Sequence, residues 1–260
     1  MKQISSLTDN VIFEKPVSVV IADIDFTLID FAKATNAAFD SLRQKVNVQF
    51  GDRISEIFYL LNEEHSHTNP ESWGRYPEFK QTMGEIEKVE GVNITDSKFR
   101  KWSRESWLII ASKEQNLSFT KDEIINLRDF YWQTLLEHSV FYPDAEKFLD
   151  ILKERSIPMI LMTGSDSILK VNEDLTLEYD PENSRIYKLN RLKKLEIPNK
   201  AIIIGDPIDK PDMRFFDIVI KEIKKIGDFS NDSLVFLGDS PKADCEVPER
   251  LGYRAFLIKR

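Results

Sequence analysis

The sequence predicts an α/β protein built on a doubly wound, Rossmann-like parallel sheet with a helical domain inserted into it. Three observations predict this. Five short apolar runs stand at 17–23, 158–163, 201–205, 233–238 and 254–258. Each is rich in Val, Ile, Leu or Phe without polar alternation, as in strands covered on both faces. Helically spaced stretches separate them, and about 110 residues without a comparable run lie between the first and the second.

The first run is followed by the long interval, so the core is read as 1–30 plus 140–260 and the inserted helical domain as 31–139. Helical spacing recurs in the insertion at 34–46, 53–61, 97–111 and 121–138, and 67–76 reads as a loop. Thr120 followed by Glu123 forms a capping-box pattern before the last of these helices. Phe148, Leu149, Leu152 and Ile157 lead into the second run, and Phe215, Phe216, Val219, Ile220 and Ile223 lead into the fourth. Such strand–helix alternation implies right-handed crossovers. Residues 173–187, centred on Asp180-Pro181-Glu182-Asn183-Ser184, read as a hairpin or loop.

Composition bounds the partners. The 260 residues carry 42% hydrophobic and 31% charged side chains and a formal net charge of −8. An acidic surface disfavours nucleic acid and anionic membranes, and a phosphorylated substrate then needs a local positive site. No run approaches the roughly 18 apolar residues of a membrane span, and MKQISSLTDN has no apolar signal core. The single Cys245 cannot form an internal disulfide. A cytoplasmic location is the expectation.

Polar residues gather where the runs end. Asp23 and Asp25 stand two apart after the first run, so on an extended chain both carboxylates face one side. That places them at the carboxyl edge, where open α/β sheets bind ligands. Two carboxylates so close repel unless a cation or a shared proton intervenes; the plain alternative is an Asp-rich turn. Asp239 and Asp244 follow the fourth run, with Gly238 allowing a tight turn. Thr163 and Gly164 end the second, where a turn can present N–H groups to an anion. Lys210 lies in GDPIDKPD after the third, beside Asp206 and Asp209, and Gly205-Asp206 reads as an ordinary loop.

Taken in order, Asp-x-Asp-x-Thr, then Thr, then Lys-Pro, then Gly-Asp-x-x-x-x-Asp resembles the four motifs of the haloacid dehalogenase superfamily. The resemblance covers the core, and the helical segment is similar in position to that family's type-1 cap. It implies the strand order 5-4-1-2-3 and a Mg²⁺-dependent phosphatase acting on a small phosphorylated metabolite. Asp23 would be the nucleophile and Asp25 the acid and base. Mg²⁺ would be held by Asp23, the Asp25 main-chain carbonyl and Asp239, with Asp244 supporting, and phosphate by Thr163, Gly164 and Lys210. The cap would close over the site and read the leaving group. Phe26 departs from the pattern, since many relatives carry Gly there.

Other readings stay open on the same residues: a phosphomutase, a 2-haloacid dehalogenase, against which Asp25 speaks, or a non-catalytic phosphoacceptor or binding protein. Glu64-His65-Ser66-His67 reads as a solvated loop rather than a zinc site. Trp102, Trp107 and Trp132 read as packing in the helical domain. Trp73, Arg75 and Arg104 are candidates for facing the substrate, and Cys245 is a small packed residue beside Asp244.

Overall fold

A computed structural model describes residues 1–66, 77–90 and 100–260. Its main sheet is parallel throughout and has six strands: β1 (Lys2–Ile4), β2 (Val19–Ala22), β3 (Met159–Gly164), β6 (Ala201–Gly205), β7 (Leu234–Gly238) and β8 (Arg254–Ile258). A separate antiparallel pair joins β4 (Leu169–Val171) to β5 (Leu177–Tyr179). The order of the main sheet is β1-β8-β7-β2-β3-β6. The five apolar runs therefore lie in the order 5-4-1-2-3, and β1 extends the edge beside β8. Its three residues, Lys-Gln-Ile, bury only Ile4, which leaves no apolar run for a sequence reading to find.

The runs are apolar throughout because alternate side chains enter two different cores. Val20, Ala22, Leu161, Val235, Leu237 and Phe256 face Phe148 and Leu152 of α6 (Pro143–Glu154). Val19, Ile21, Ile160, Met162 and Phe236 face Phe215, Phe216, Val219 and Ile223 of α8 (Met213–Ile226). Each buried Leu, Ile or Phe contributes about 1.5–3 kcal/mol relative to exposure.

Contacts divide the chain into two compact units. One comprises Met1–Ala32, Ser139–Gly164 and Leu189–Arg260; the other comprises Lys33–His138 and Ser165–Lys188. The second unit therefore takes in 165–188, which the sequence division counts with the core. It contains α1 (Phe31–Lys45) from Lys33 on, α2 (Val48–Ser66), α3 (Pro77–Glu90), α4 (Arg104–Glu114) and α5 (Lys121–Glu137). It also holds the β4–β5 pair and the first half of α7 (Pro181–Lys194). The Thr120–Glu123 capping box is formed in both directions. The helix expected over 97–111 is interrupted after Arg100 and runs again from Arg104, where Ser103 caps it by accepting from Ser106 N; 97–99 and the 67–76 loop lie outside the described residues.

Residues 173–187 are part hairpin and part helix. The turn and β5 end by Tyr179, after which Asp180 accepts from Asn183 N at 3.0 Å and Pro181 opens α7. The Asp-Pro-Glu segment is thus a helix start, with an acidic cap and Pro in the first turn. No described helix is long and apolar enough to cross a membrane.

Candidate active site

The order of strands reverses between β2 and β7, the point where such sheets bind ligands. Asp23 follows β2 directly and is bound into the β7 ladder, its N–H donating to Leu237 O at 2.9 Å. Beyond it the chain turns tightly: Leu28 N and Ile29 N both donate to Ile24 O, at 2.9 and 3.0 Å. The turn needs a left-handed residue, and Phe26 supplies it at φ 64°, a conformation that costs a non-glycine residue about 1–2 kcal/mol. Its ring lies edge-on to Phe31 at 5.3 Å.

Four of the seven residues singled out from the sequence come together. Asp23, Asp239 and Asp244 each offer a carboxylate oxygen within 4.8 Å of the others. The Lys210 ammonium bridges two of them, at 2.6 Å from Asp23 Oδ1 and 2.7 Å from Asp244 Oδ1. Thr27, the Thr of Asp-x-Asp-x-Thr, donates to Asp23 Oδ2 at 3.3 Å and reaches Asp239 Oδ1 at 3.5 Å. Asp25 takes a different partner: Arg191 Nη2 donates to its Oδ2 at 3.3 Å. Thr163 is buried at the end of β3, with its hydroxyl 3.3 Å from Gly164 O.

The glycines serve side chains rather than unusual backbone angles. A Cβ at Gly238 would collide with the Asp244 side chain, and one at Gly164 or Gly205 with the Asp209 carboxylate. Gly238 is therefore needed for space, not for the turn, and Asp209 fills the room beside Gly164. Asp209, to which the sequence pointed only as a neighbour, accepts from Lys210 N at 2.7 Å and anchors the loop that delivers the lysine. The Asp244 carboxylate likewise accepts from Ser240 N at 2.9 Å. The Asp23–Thr27 turn is braced from a distance: Arg260 donates to Thr27 O, pairs with Asp144 at 2.7 Å and stacks over Tyr142. No sequence pattern marks either Asp209 or Arg260.

Burial and like charge dominate the electrostatics. Burial, then the charges of Asp244 and Asp25, push Asp23 up to about 7 against the opposing pull of Lys210. Burial and the neighbouring Asp23 and Asp244 also raise Asp239 well above the carboxylate range. Burial opposes the Lys210 charge, but Asp23, Asp244 and Asp209 outweigh it and raise the ammonium above an ordinary lysine. Three carboxylates share one ammonium, so the cluster is short of positive charge. All its donors are oxygens, the set that suits a hard divalent cation such as Mg²⁺ and serves zinc poorly.

The remaining candidates separate from this cluster. Cys245 is fully buried, and burial together with Asp244 and Asp239 raises its thiol, which removes the thiolate a reactive cysteine needs. In the helical unit Trp107 and Trp132 are core, and Arg104 is buried against the rings of Trp107, Tyr131 and Trp132 at 4.1–4.8 Å. Arg104 is thus a packed residue rather than an exposed one. Trp73, Arg75 and the side chains of 64–67 lie outside the described residues. A groove of about 470 Å³ lined by Phe13, Val17, Arg155 and Ile157 opens at the amino ends of β2 and β3, away from the acids.

A doubly wound α/β fold with an acid cluster and a bridging lysine at its switch point defines a class of ligand-processing α/β enzymes. The chain belongs to the haloacid dehalogenase-like hydrolases, whose family model matches residues 17–252. It is similar in fold to the HAD-hydrolase YfnB from Bacillus subtilis, described as bound to magnesium, at 15% identity and TM-score 0.53 over 93% of this chain and 88% of that one. A β-phosphoglucomutase-like protein from Thermotoga maritima matches at 14% identity and TM-score 0.53, over 94% and 86% of the two chains. A 2-haloacid dehalogenase from Pseudomonas syringae matches at 20% and 0.51, over 93% and 86%. At these identities the likeness shows the fold alone. No curated protein matches the sequence.

Proposed function

We propose that this hydrolase is a Mg²⁺-dependent phosphatase that cleaves a small phosphorylated molecule through an aspartyl-phosphate on Asp23. The observation that carries this reading is the Lys210 ammonium held between Asp23 and Asp244, with Asp239 completing the cluster and a second acid, Asp25, two residues from the first. A carboxylate and a phosphate monoester repel each other, and the cluster concentrates the means of offsetting that repulsion. Asp23, Asp239 and the Asp25 carbonyl would hold Mg²⁺, with Asp244 in support; the ion would supply the positive charge that the buried carboxylates lack.

The chain's own groups perform the remaining tasks. Lys210 and Thr27 grip the two oxygens of Asp23 and fix the nucleophile's direction. Lys210, with Thr163 and the N–H groups after it, faces the phosphoryl charge. As the bond from Asp23 to phosphorus forms, the bond to the leaving oxygen breaks and Asp25 gives that oxygen its proton. Water then attacks phosphorus, its proton returns to Asp25, and Asp23 is released. General acid–base help of this kind is worth ~10²–10⁴ in rate. The helical insertion would select among leaving groups. The second acid favours this chemistry over haloacid cleavage.

The test is phosphate release from sugar, nucleotide and small-acid phosphates and p-nitrophenyl phosphate, with Mg²⁺ or excess EDTA. Phosphate release that EDTA abolishes and Mg²⁺ restores is expected. Halide release from 2-haloacids without phosphatase activity would reject the proposal. Phosphoryl return to a second hydroxyl of the same substrate would make the enzyme a mutase.

A further inference from the structure

Asp25 stands outside the cluster formed by Asp23, Asp239 and Asp244, and its carboxylate belongs to a different cation. Arg191 Nη2 donates to Asp25 Oδ2 at 3.3 Å, with the two side chains 3% and 20% exposed. Arg191 lies on the last turns of α7, beside the buried core residue Leu192, and its guanidinium sits 5.9 Å from the Phe31 ring. A guanidinium removed from water carries a desolvation cost that only good pairing offsets. Helix-end electrostatics does not account for it, because Lys193 and Lys194 already place positive charge in the same last turn. The two partners stand 166 residues apart in sequence, so the pairing is made by the fold and not by local chain geometry. Asp23 and Asp244 have their own cation in Lys210.

We propose, on the phosphatase reading above, that Arg191 is a positioning residue. Through its bond to Oδ2 it sets the rotation of the Asp25 carboxyl, the group that hands a proton to the leaving oxygen and takes one from the attacking water. Proton transfer is steeply sensitive to heavy-atom geometry, and the carboxyl of an aspartate rotates easily about its terminal bond unless a partner holds it. The Phe31 ring limits the guanidinium from one side, and the Phe26 ring packs on Phe31 in turn. The unusual Phe in the Asp23–Thr27 turn thereby becomes part of the support for the acid–base residue.

The experiment compares wild type with Arg191→Met, which keeps the stem and loses the donors, and with Arg191→Gln and Arg191→Lys, which keep an N–H. Two Mg²⁺-saturated substrates are used: p-nitrophenyl phosphate, whose leaving group needs little acid help, and an alkyl phosphate, whose leaving group needs a proton. For Arg191→Met, kcat on the alkyl ester should fall by about 10²-fold, with KM within about threefold. The pre-steady-state burst of p-nitrophenolate should stay within about threefold of wild type in rate, while steady turnover slows because the water step also needs Asp25. Arg191→Lys or Arg191→Gln should recover part of the alkyl activity. In parallel, the melting temperatures of Arg191→Met, Asp25→Asn and the double variant should be non-additive by at least about 2 °C. A raised KM with unchanged kcat, an equal loss on both substrates including the burst, or additive melting shifts would each overturn the inference. Absence of phosphatase activity in the wild type would instead reject the proposed function itself. Should Arg191→Met fail to fold, the Gln and Lys variants give the same comparison of leaving groups.

Discussion

The two units of this chain bury charge in opposite ways. In the sheet unit Asp23, Asp239 and Asp244 crowd within 4.8 Å and share one ammonium, Lys210. Among the described residues of the helical unit each buried acid has its own partners. Glu105 pairs with Arg128 at 3.1 Å and accepts from Ser103 at 2.8 Å. Glu90 accepts from Ser106 at 2.5 Å, and Asp166 pairs with Lys188 at 3.2 Å. The arginines there lie over aromatic rings, Arg100 at 3.9 Å from Tyr179 and Arg104 at 4.1 Å from Trp107. A settled network stabilises a shape, whereas a cluster short of positive charge is prepared for something that supplies it. The difference supports, without appeal to any motif, the proposal that the sheet-unit group is the one that does chemistry.

The largest expected effect tests the unsettled cluster. Asp23→Asn removes the proposed nucleophile and one cluster oxygen together, and kcat should fall by about 10⁴-fold or more, as loss of an attacking group does. Rapid acid quench of the wild type with peptide mapping should find phosphate on Asp23. Phosphate on another residue, or retained turnover in the variant, would dissolve the contrast drawn above.

The next two effects test the settled network. Burial pushes Glu90 up to about 8, against the hydrogen bond from Ser106. Below the usual carboxylate value both folded and unfolded chains hold this proton. Between about 4.5 and 8 only the folded chain does, so stability falls as pH rises through that window and the loss is complete above it. Glu90→Gln should remove a slope of at most about 1.4 kcal/mol per pH unit, or about 5 kcal/mol over the window. Urea midpoints at pH 5, 6.5 and 8 check it; parallel curves for variant and wild type would show that Glu90 is ionised in the fold. Arg128→Met leaves Glu105 buried without its cation and should cost about 3 kcal/mol, read as a lower urea midpoint with an unchanged slope. It should leave the Mg²⁺ response of the protein intact, since the two charge groups lie in different units.

How much of this was legible in the sequence depends on whether the signal was local. The five apolar runs became β2, β3, β6, β7 and β8 in the order the resemblance implies, because continuous burial on both faces writes itself into consecutive residues. The capping box at Thr120 was equally local. β1 was not readable, since only Ile4 of its three residues is buried. The start of α7 was readable in principle from Asp180-Pro181, but turn chemistry and helix-cap chemistry use the same residues. At the site, the residues following strand ends were visible as polar interruptions. The partners that hold them were not: Arg191 reaches Asp25 across 166 positions, and Arg260 reaches Asp144 across 116. Asp209 was hidden because its role is to fill the space left by two glycines, Gly164 and Gly205. Spacing reveals which strand end a side chain occupies; only tertiary structure reveals what grips it.

The smallest expected effect joins metal and proton in the sheet unit and sets its response apart from that of the helical unit. Burial and neighbouring carboxylates raise Asp23 to about 7 and raise Asp239 well above the carboxylate range. The folded chain binds protons that the unfolded chain has released above about pH 4, so the metal-free fold loses stability as pH rises toward 7 and beyond. A divalent cation competes for the same oxygens and must displace those protons to bind. Mg²⁺ at about 100 times its dissociation constant should therefore stabilise the fold by about 2.7 kcal/mol at pH 8, a rise in melting temperature of roughly 5–10 °C for a chain of this size. At pH 5.5 the same concentration should give a distinctly smaller rise, because binding then has to expel protons. Asp239→Asn should flatten both responses, and Glu90→Gln should change neither. Scanning calorimetry of the three proteins at the two pH values, with and without Mg²⁺, measures all of this directly. An equal Mg²⁺ shift at both pH values would mean that the cluster is ionised before the cation arrives, and that Lys210 alone suffices to balance it.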